Sequence, residues 1–105
     1  MTTTIKQRIS NIALVVEDYD DAIAFYTEKL NFQLIEDTDL GGGKRWVLIS
    51  PPNGNGTNIL LAKASNAQQS QSVGNQAGGR VFLFLQSNDL YGTKWDLLEL
   101  NGESW

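Results

Sequence analysis

The chain has 105 residues and a formal net charge of −4, with 8 Lys and Arg against 12 Asp and Glu. This length supports one domain with a single modest core. The basic residues are scattered rather than clustered, which argues against a nucleic-acid partner or an anionic membrane surface.

The chain contains neither Cys nor His. Disulfides, Ser-His and Cys-His nucleophile systems and imidazole metal ligands are therefore excluded. Any metal would need oxygen ligands, and any general base would be a carboxylate. A secretory signal and a membrane-length apolar run are both missing, so we expect a cytoplasmic protein whose partner is a small, neutral or cationic molecule.

The segment 11–32 predicts a short strand followed by an amphipathic helix. Residues 12–16 are too few and too β-branched for a helix. Asp18 is an N-cap residue, and Asp21 follows three positions later at the helix start. Apolar residues then recur at helical spacing: Ala22, Ile23, Tyr26 and Leu30.

Three further strands are predicted at 32–37, 44–50 and 57–63. Three successive glycines, 41–43, lie in the predicted hairpin connection 39–43, where they allow positive φ. A phosphate-binding loop is not indicated, because Lys44 is followed by a strand rather than by Ser or Thr at a helix start. The segment 65–79 is polar and predicts an exposed, mobile connector.

The apolar run 80–86 predicts a strong strand, and 94–100 predicts a final one. The strand-helix-strand-strand-strand order, with Asn11, the helix DYDDAIAFY and Asn31-Phe32, closely resembles the opening of the glyoxalase / bleomycin-resistance / extradiol-dioxygenase (vicinal oxygen chelate) superfamily. The stretch DLYGTKWDLLE resembles the closing turn and strand of that family. A helix and two strands that the family carries between these parts are missing here.

The resemblance implies an α+β fold, with a mixed β-sheet forming a half-cup and a helix on its outer face. It further implies one domain, 1–105, made of a complete βαβββ module (5–64), the polar connector (65–79) and a truncated second module of two strands (80–101).

The resemblance also indicates where a divalent metal would be held. Of the four family positions, Asn11 has an amide, Leu60 has no donor and Arg80 is a cation. Asp96 alone is a plausible ligand. Because such metals need several anionic or imidazole ligands, we predict no metal and no cofactor.

Strand alternation predicts which side chains line the cup. The more apolar set of the first strand, Ile12, Leu14 and Val16, should lie under the helix. The ligand-binding residues predicted for the concave side are Asn11, Ala13, Val15, Leu60, Phe82, Phe84 and Asp96, with Ala62 beside them. Such a lining suits a flat aromatic or weakly cationic ligand, or else packs against another subunit.

Three functions remain open from sequence. The first is a non-catalytic binder of a small aromatic or cationic molecule in a cavity at a homodimer interface. The second is a divergent metal-dependent lyase, isomerase or dioxygenase in which Asp96 or Glu99 is the base or lone ligand. The third is a folded remnant without a ligand.

The connection 87–93 is too short for the crossover between parallel strands that the family has. We therefore predict a homodimer in which 94–100 either folds back as a hairpin on 81–86 or exchanges with the partner chain.

Overall fold

The computed structural model describes residues 4–52, 56–87 and 96–100, and for 86, 87 and 96–100 it describes the backbone alone. The elements in chain order are β1 (Asn11–Val16), α1 (Tyr19–Ala24), a π-helical segment (Phe25–Lys29), β2 (Gln33–Gly41), β3 (Lys44–Ser50), β4 (Asn58–Lys63), α2 (Ala67–Ser70), β5 (Leu83–Ser87) and β6 (Asp96–Leu100).

Strands β1 to β4 form one mixed sheet in the order β1-β4-β3-β2. β1 and β4 run parallel, whereas β4 with β3 and β3 with β2 run antiparallel. The parallel pair needs a crossover, which the helix and the β2–β3 hairpin provide. The predicted α+β half-cup, with a βαβββ module and a helix on its outer face, is confirmed.

The helix begins as predicted. The Asp18 carboxylate accepts a hydrogen bond of 2.8 Å from the Asp21 N–H, and Asp18 has extended backbone angles. The helix widens into the π-helical segment at Phe25. The segment ends at Lys29, and Asn31, two residues later, has a φ of 60° in the left-handed region that Asn tolerates better than most residues.

The core lies between the helix and one face of the sheet, which we call the helix face. Its buried sheet residues alternate with less buried ones along each strand: Leu14, Val16, Val47, Ile49, Ile59 and Leu61. Helical side chains cover them, chiefly Ala22, Phe25 and Tyr26. The predicted set Ile12, Leu14 and Val16 thus faces the helix, with Ile12 half-buried at the strand start.

Two sequence expectations differ from the structure in extent. β2 continues to Gly41 instead of ending at Asp37, because the turn to β3 is tight and Gly41, Gly42 and Gly43 all take positive φ. The segment 65–79 is not wholly irregular, since Asn66 caps the short helix α2 by accepting the Gln69 N–H at 2.8 Å.

β5 and β6 form a separate antiparallel pair, in which Leu83 lies opposite Leu100 and Ser87 opposite Asp96. Within this chain, β6 therefore pairs back on β5, which is the first of the two predicted arrangements; the other was exchange with a partner chain. β5 begins at Leu83, three residues later than the predicted strand. The side chains of Phe82, Leu83 and Leu85 pack against the core cluster.

Candidate functional site

The face of the sheet opposite the helix presents a second set of side chains, which we call the open face. Its members follow from the strand register and are Ala13, Val15, Trp46, Leu48, Leu60 and Ala62. Ala13 pairs with Leu60, which pairs in turn with Leu48. Val15 pairs with Ala62, while Trp46 lies one residue beyond the Val47–Leu61 pair on the adjacent strand. These residues form an apolar surface across three strands.

A cavity of about 570 Å³ lies at the end of the sheet where β3 begins and β4 ends. Its apolar walls come from Leu40, Trp46, Leu60 and Ala62, and Tyr19 closes one side. Trp46 is 36% exposed and Leu40 is 55% exposed, so large apolar side chains remain accessible there. A cavity of this size, mostly apolar with a few polar groups, is typical of small-molecule sites.

The polar side of this cavity is organised by Arg45. Its guanidinium binds both oxygens of Asp37, from Nε at 3.0 Å and from Nη2 at 2.6 Å, and its Nη1 binds Asp20 at 3.0 Å. Its backbone N–H donates to the Tyr19 hydroxyl at 3.1 Å, and its guanidinium carbon lies 5.1 Å from the centre of the Tyr19 ring. These contacts fix the start of β3 against the start of the helix.

The same contacts shift the protonation equilibria. Hydrogen bonding to Arg45 holds the pKa of Asp37 below its ordinary value of 3.8. The two carboxylates raise the pKa of Arg45 above its already high value, so its charge is permanent. Arg45 is thus a structural cation whose charge is matched by Asp20 and Asp37.

Four of the predicted ligand-binding residues lie as the alternation predicted. Ala13 and Val15 are on the open face, Leu60 lines the cavity, and Asn11 pairs with Asn58 at the opposite end of β1. The backbone of Val15 is bound by the side chain of Gln76. Their role in binding stays a prediction.

The structure does not bring Phe82 and Phe84 to the open face beside Leu60. Phe82 packs against the core, and Phe84 is 60% exposed and lines a separate cavity of about 160 Å³ with Ile12, Phe32 and Ile59. The reason is that β5 lies against the residues that the helix covers, not against the open face. The side chains of Asp96 and Glu99 lie outside the described residues; their backbones pair with Ser87 and Phe84 in β6.

Sequence reasoning missed Trp46, Leu40 and Lys44 as cavity residues. The signal was present for Trp46, because the alternation in KRWVLIS places it on the face of β3 opposite Val47 and Ile49. Leu40 was hidden because β2 was expected to stop at Asp37.

The donors that a divalent metal needs are not assembled in the described residues, where no group of three or more Asp or Glu side chains comes together. Leu60, at a position where the resemblance predicts a ligand, has no donor atom. The side chains that the structure describes therefore do not fit a metal centre of the family type. None of the helices in the described ranges has both the length and the apolar composition needed to span a bilayer.

The family model for the Glyoxalase/Bleomycin resistance protein/Dioxygenase superfamily matches residues 8–103. The chain belongs to this superfamily. A protein of Shewanella frigidimarina (strain NCIMB 400) is 46% identical over 129 aligned residues, which cover 91% of this chain and 96% of that protein.

That alignment also shows that this chain is internally shorter. Its 129 positions exceed the 105 residues of the chain by 24, so at least that many positions of the relative have no counterpart here. An aligned region begins and ends on matched residues, so the difference lies within the chain. This agrees with a second module of only two strands.

Two solved structures share the fold. UcmS2 superposes with a TM-score of 0.59 at 20% identity, covering 94% of this chain and 95% of that one. TnmS3, an antibiotic binding protein from Streptomyces sp. CB03234, gives 0.51 at 16% identity, covering 96% and 93%. At these low identities the superposition shows that the chains share a fold, and it shows nothing about a shared function.

Proposed function

We propose that this protein is a non-catalytic binder of a small aromatic molecule, held on the open face in a cavity that a second subunit completes. The observation that carries the proposal is the cavity beside Trp46, which joins an accessible indole to the aliphatic walls of Leu40 and Leu60. A flat ligand stacked on the indole would bury apolar area on both partners.

The comparison with TnmS3 supports the same class of function, because that protein is described as antibiotic binding. The divergent lyase, isomerase or dioxygenase would need a metal or a positioned base. Its candidate residues, Asp96 and Glu99, lie on the β5–β6 hairpin, whereas the cavity is built by β2, β3 and β4. The described residues thus favour binding over catalysis.

A titration with the neutral probe N-phenyl-1-naphthylamine tests the proposal, because its emission rises on entering an apolar site. We expect saturable binding that Trp46→Ala weakens by about 10-fold or more, since removing an aromatic contact costs on the order of 1 to 2 kcal/mol or more. Trp46→Phe should retain part of the affinity. Ile5→Ala is the control, because Ile5 is 77% exposed and does not line the cavity.

Equal affinity of Trp46→Ala and the unmodified protein would place the ligand elsewhere. No binding of the probe or of a broad set of flat aromatics, by fluorescence and by thermal shift, would favour the folded remnant. Turnover that a chelator abolishes and Mn²⁺ or Fe²⁺ restores would favour the enzyme.

A further inference from the structure

The charged side chains that line the cavity are opposite in sign to the net charge of the protein. The chain carries a net −4, but the charged residues that line the cavity are Lys44, Arg45 and Lys63, all cationic. Three of the 8 basic residues of the chain therefore surround one apolar cavity. Acidic side chains are missing from the lining in the part of the chain that the structure describes.

Only part of this positive charge is matched within the described residues. Both ion pairs found there use Arg45, with Asp20 and with Asp37 as the anions. Lys44 and Lys63 enter neither pair. Their two ammonium groups remain available to an anion, whereas the guanidinium of Arg45 is held by two carboxylates.

The strand register places Lys44 and Lys63 on opposite faces of the sheet, both at the end where the cavity lies. Lys44 precedes Trp46 by two residues in β3 and so shares its side of the strand. Lys63 ends β4, pairs with Val16 of β1 and therefore belongs to the helix face, at the margin of the cavity next to the wall residue Ala62. A flat molecule stacked on Trp46 would therefore have Lys44 at its margin and Lys63 further away.

We propose that the ligand is an aromatic acid, whose ring lies on Trp46 and whose carboxylate or comparable anionic group is bound by Lys44, with Lys63 adding to the positive potential. This inference rests on the proposed function, since it specifies the ligand class of the same cavity. It departs from the neutral or cationic ligand expected from net charge, because the local lining, not the total charge, decides recognition at short range.

The test compares two molecules of the same shape, 2-naphthoate and its neutral amide 2-naphthamide, with 2-naphthylmethylammonium as the cation. Binding is measured by calorimetry, and by quenching of Trp46 fluorescence, defined as the part of the signal lost in Trp46→Phe. We expect 2-naphthoate to bind about 5-fold to 30-fold more tightly than the amide, as a charge-assisted hydrogen bond at a partly exposed site allows.

Lys44→Gln should bring the affinity for 2-naphthoate down to that for 2-naphthamide while leaving the amide unaffected. Lys63→Gln should produce a smaller loss of the same kind. Lys29→Gln is the matched control, because it removes the same charge from an exposed helical position that does not line the cavity. Raising the salt concentration should weaken the binding of the acid but not that of the amide.

The outcomes separate the two proposals. If all three molecules bind at Trp46 with equal affinity, or the cation binds best, the aromatic-acid inference is wrong and the proposed function stands. If none of the three binds, the proposed function itself is wrong. If inorganic phosphate displaces 2-naphthoate at equal concentration, the cavity is a general anion site and the inference is overturned.

Discussion

The side chain of Gln76 makes with Val15 both hydrogen bonds that a neighbouring strand would make. Its Oε1 accepts the Val15 N–H at 3.2 Å, and its Nε2 donates to the Val15 carbonyl at 2.7 Å. β1 is the edge of the four-stranded sheet, so these groups face away from β4. The carboxamide thus occupies part of an edge that could otherwise pair with another chain.

We predict that Gln76→Ala lowers the free energy of unfolding by about 1 to 3 kcal/mol, because it removes two hydrogen bonds from half-buried backbone groups. Denaturant unfolding measures the change. Gln71→Ala is the control, since Gln71 is an exposed residue of the same segment. Equal stability of the two variants would show that water replaces the carboxamide without loss.

From the burial of Tyr26 we predict that the protein loses stability at high pH. Burial raises the pKa of Tyr26 from 10.0 to about 12, so the folded state holds the phenolic proton more tightly than the unfolded state. The resulting stability is complete below pH 10 and is lost as the pH rises through about 12. The shift corresponds to about 2 to 3 kcal/mol.

Unfolding measured from pH 8 to 12 should show this decline in the unmodified protein, and Tyr26→Phe should flatten it. The absorbance of ionised tyrosine gives a second measurement. We expect Tyr26 not to contribute to the increase in this absorbance near pH 10. A Tyr26→Phe variant with the same alkaline decline would assign the loss to other groups.

From the Asp37–Arg45 pair we predict a loss of stability at low pH. Because the pKa of Asp37 is lowered below 3.8, the folded state favours the ionised carboxylate. Its contribution is present above that value and is lost as the pH falls through the lowered pKa. Asp37→Asn should therefore be less stable near neutral pH and show a shallower decline between pH 5 and 2.

Glu28→Gln is the matched control for that measurement, because Glu28 is an exposed carboxylate on the helical segment. If the stability of Asp37→Asn declines between pH 5 and 2 as steeply as that of Glu28→Gln, Asp37 is not the source of the decline. The size of the effect should be small, since the pair is partly exposed.

Local signals in the sequence predicted most of the complete module. The Asp18 cap, the β-branched first strand and the glycines before Lys44 each specify local geometry, and each lies where predicted. Alternation also separated the buried Leu14 and Val16 from the open face. These features depend on neighbours within a few residues, which is why one sequence suffices to find them.

The placement of the second module could not be predicted in the same way. Alternation put Phe82 and Phe84 on one face, but it does not say against which face of the first module a strand will pack. That choice depends on packing between residues far apart in sequence, such as that of Leu83 and Leu85 on the core of the first module. The bond between Gln76 and Val15, 61 residues apart, was likewise invisible in a polar segment.

We predict that a chelator leaves both stability and the affinity for aromatic ligands unchanged. Leu60 has no donor, and the described carboxylates do not form a cluster of three. Elemental analysis of the purified protein is the measurement, with Asp96→Ala as the informative variant. Near one equivalent of a transition metal, lost in that variant, would overturn the prediction.

The last prediction is a homodimer that buries the β5 surface. β5 and β6 pair only with each other in the described ranges, and a two-stranded sheet is marginal unless it packs on something. One side of β5 packs on the core through Leu83 and Leu85, but Phe84 on the other side is 60% exposed. A second subunit would cover this exposed aromatic surface.

Light scattering on the full chain should give the mass of a dimer at micromolar concentration, and Phe84→Glu should shift it toward the monomer because burying an unpaired carboxylate is costly. Ile5→Glu is the control, since it adds the same charge at an exposed residue outside β5. A monomeric mass for the unmodified protein, with the chain intact, would refute the dimer and, with it, any contribution of a second subunit to the binding site.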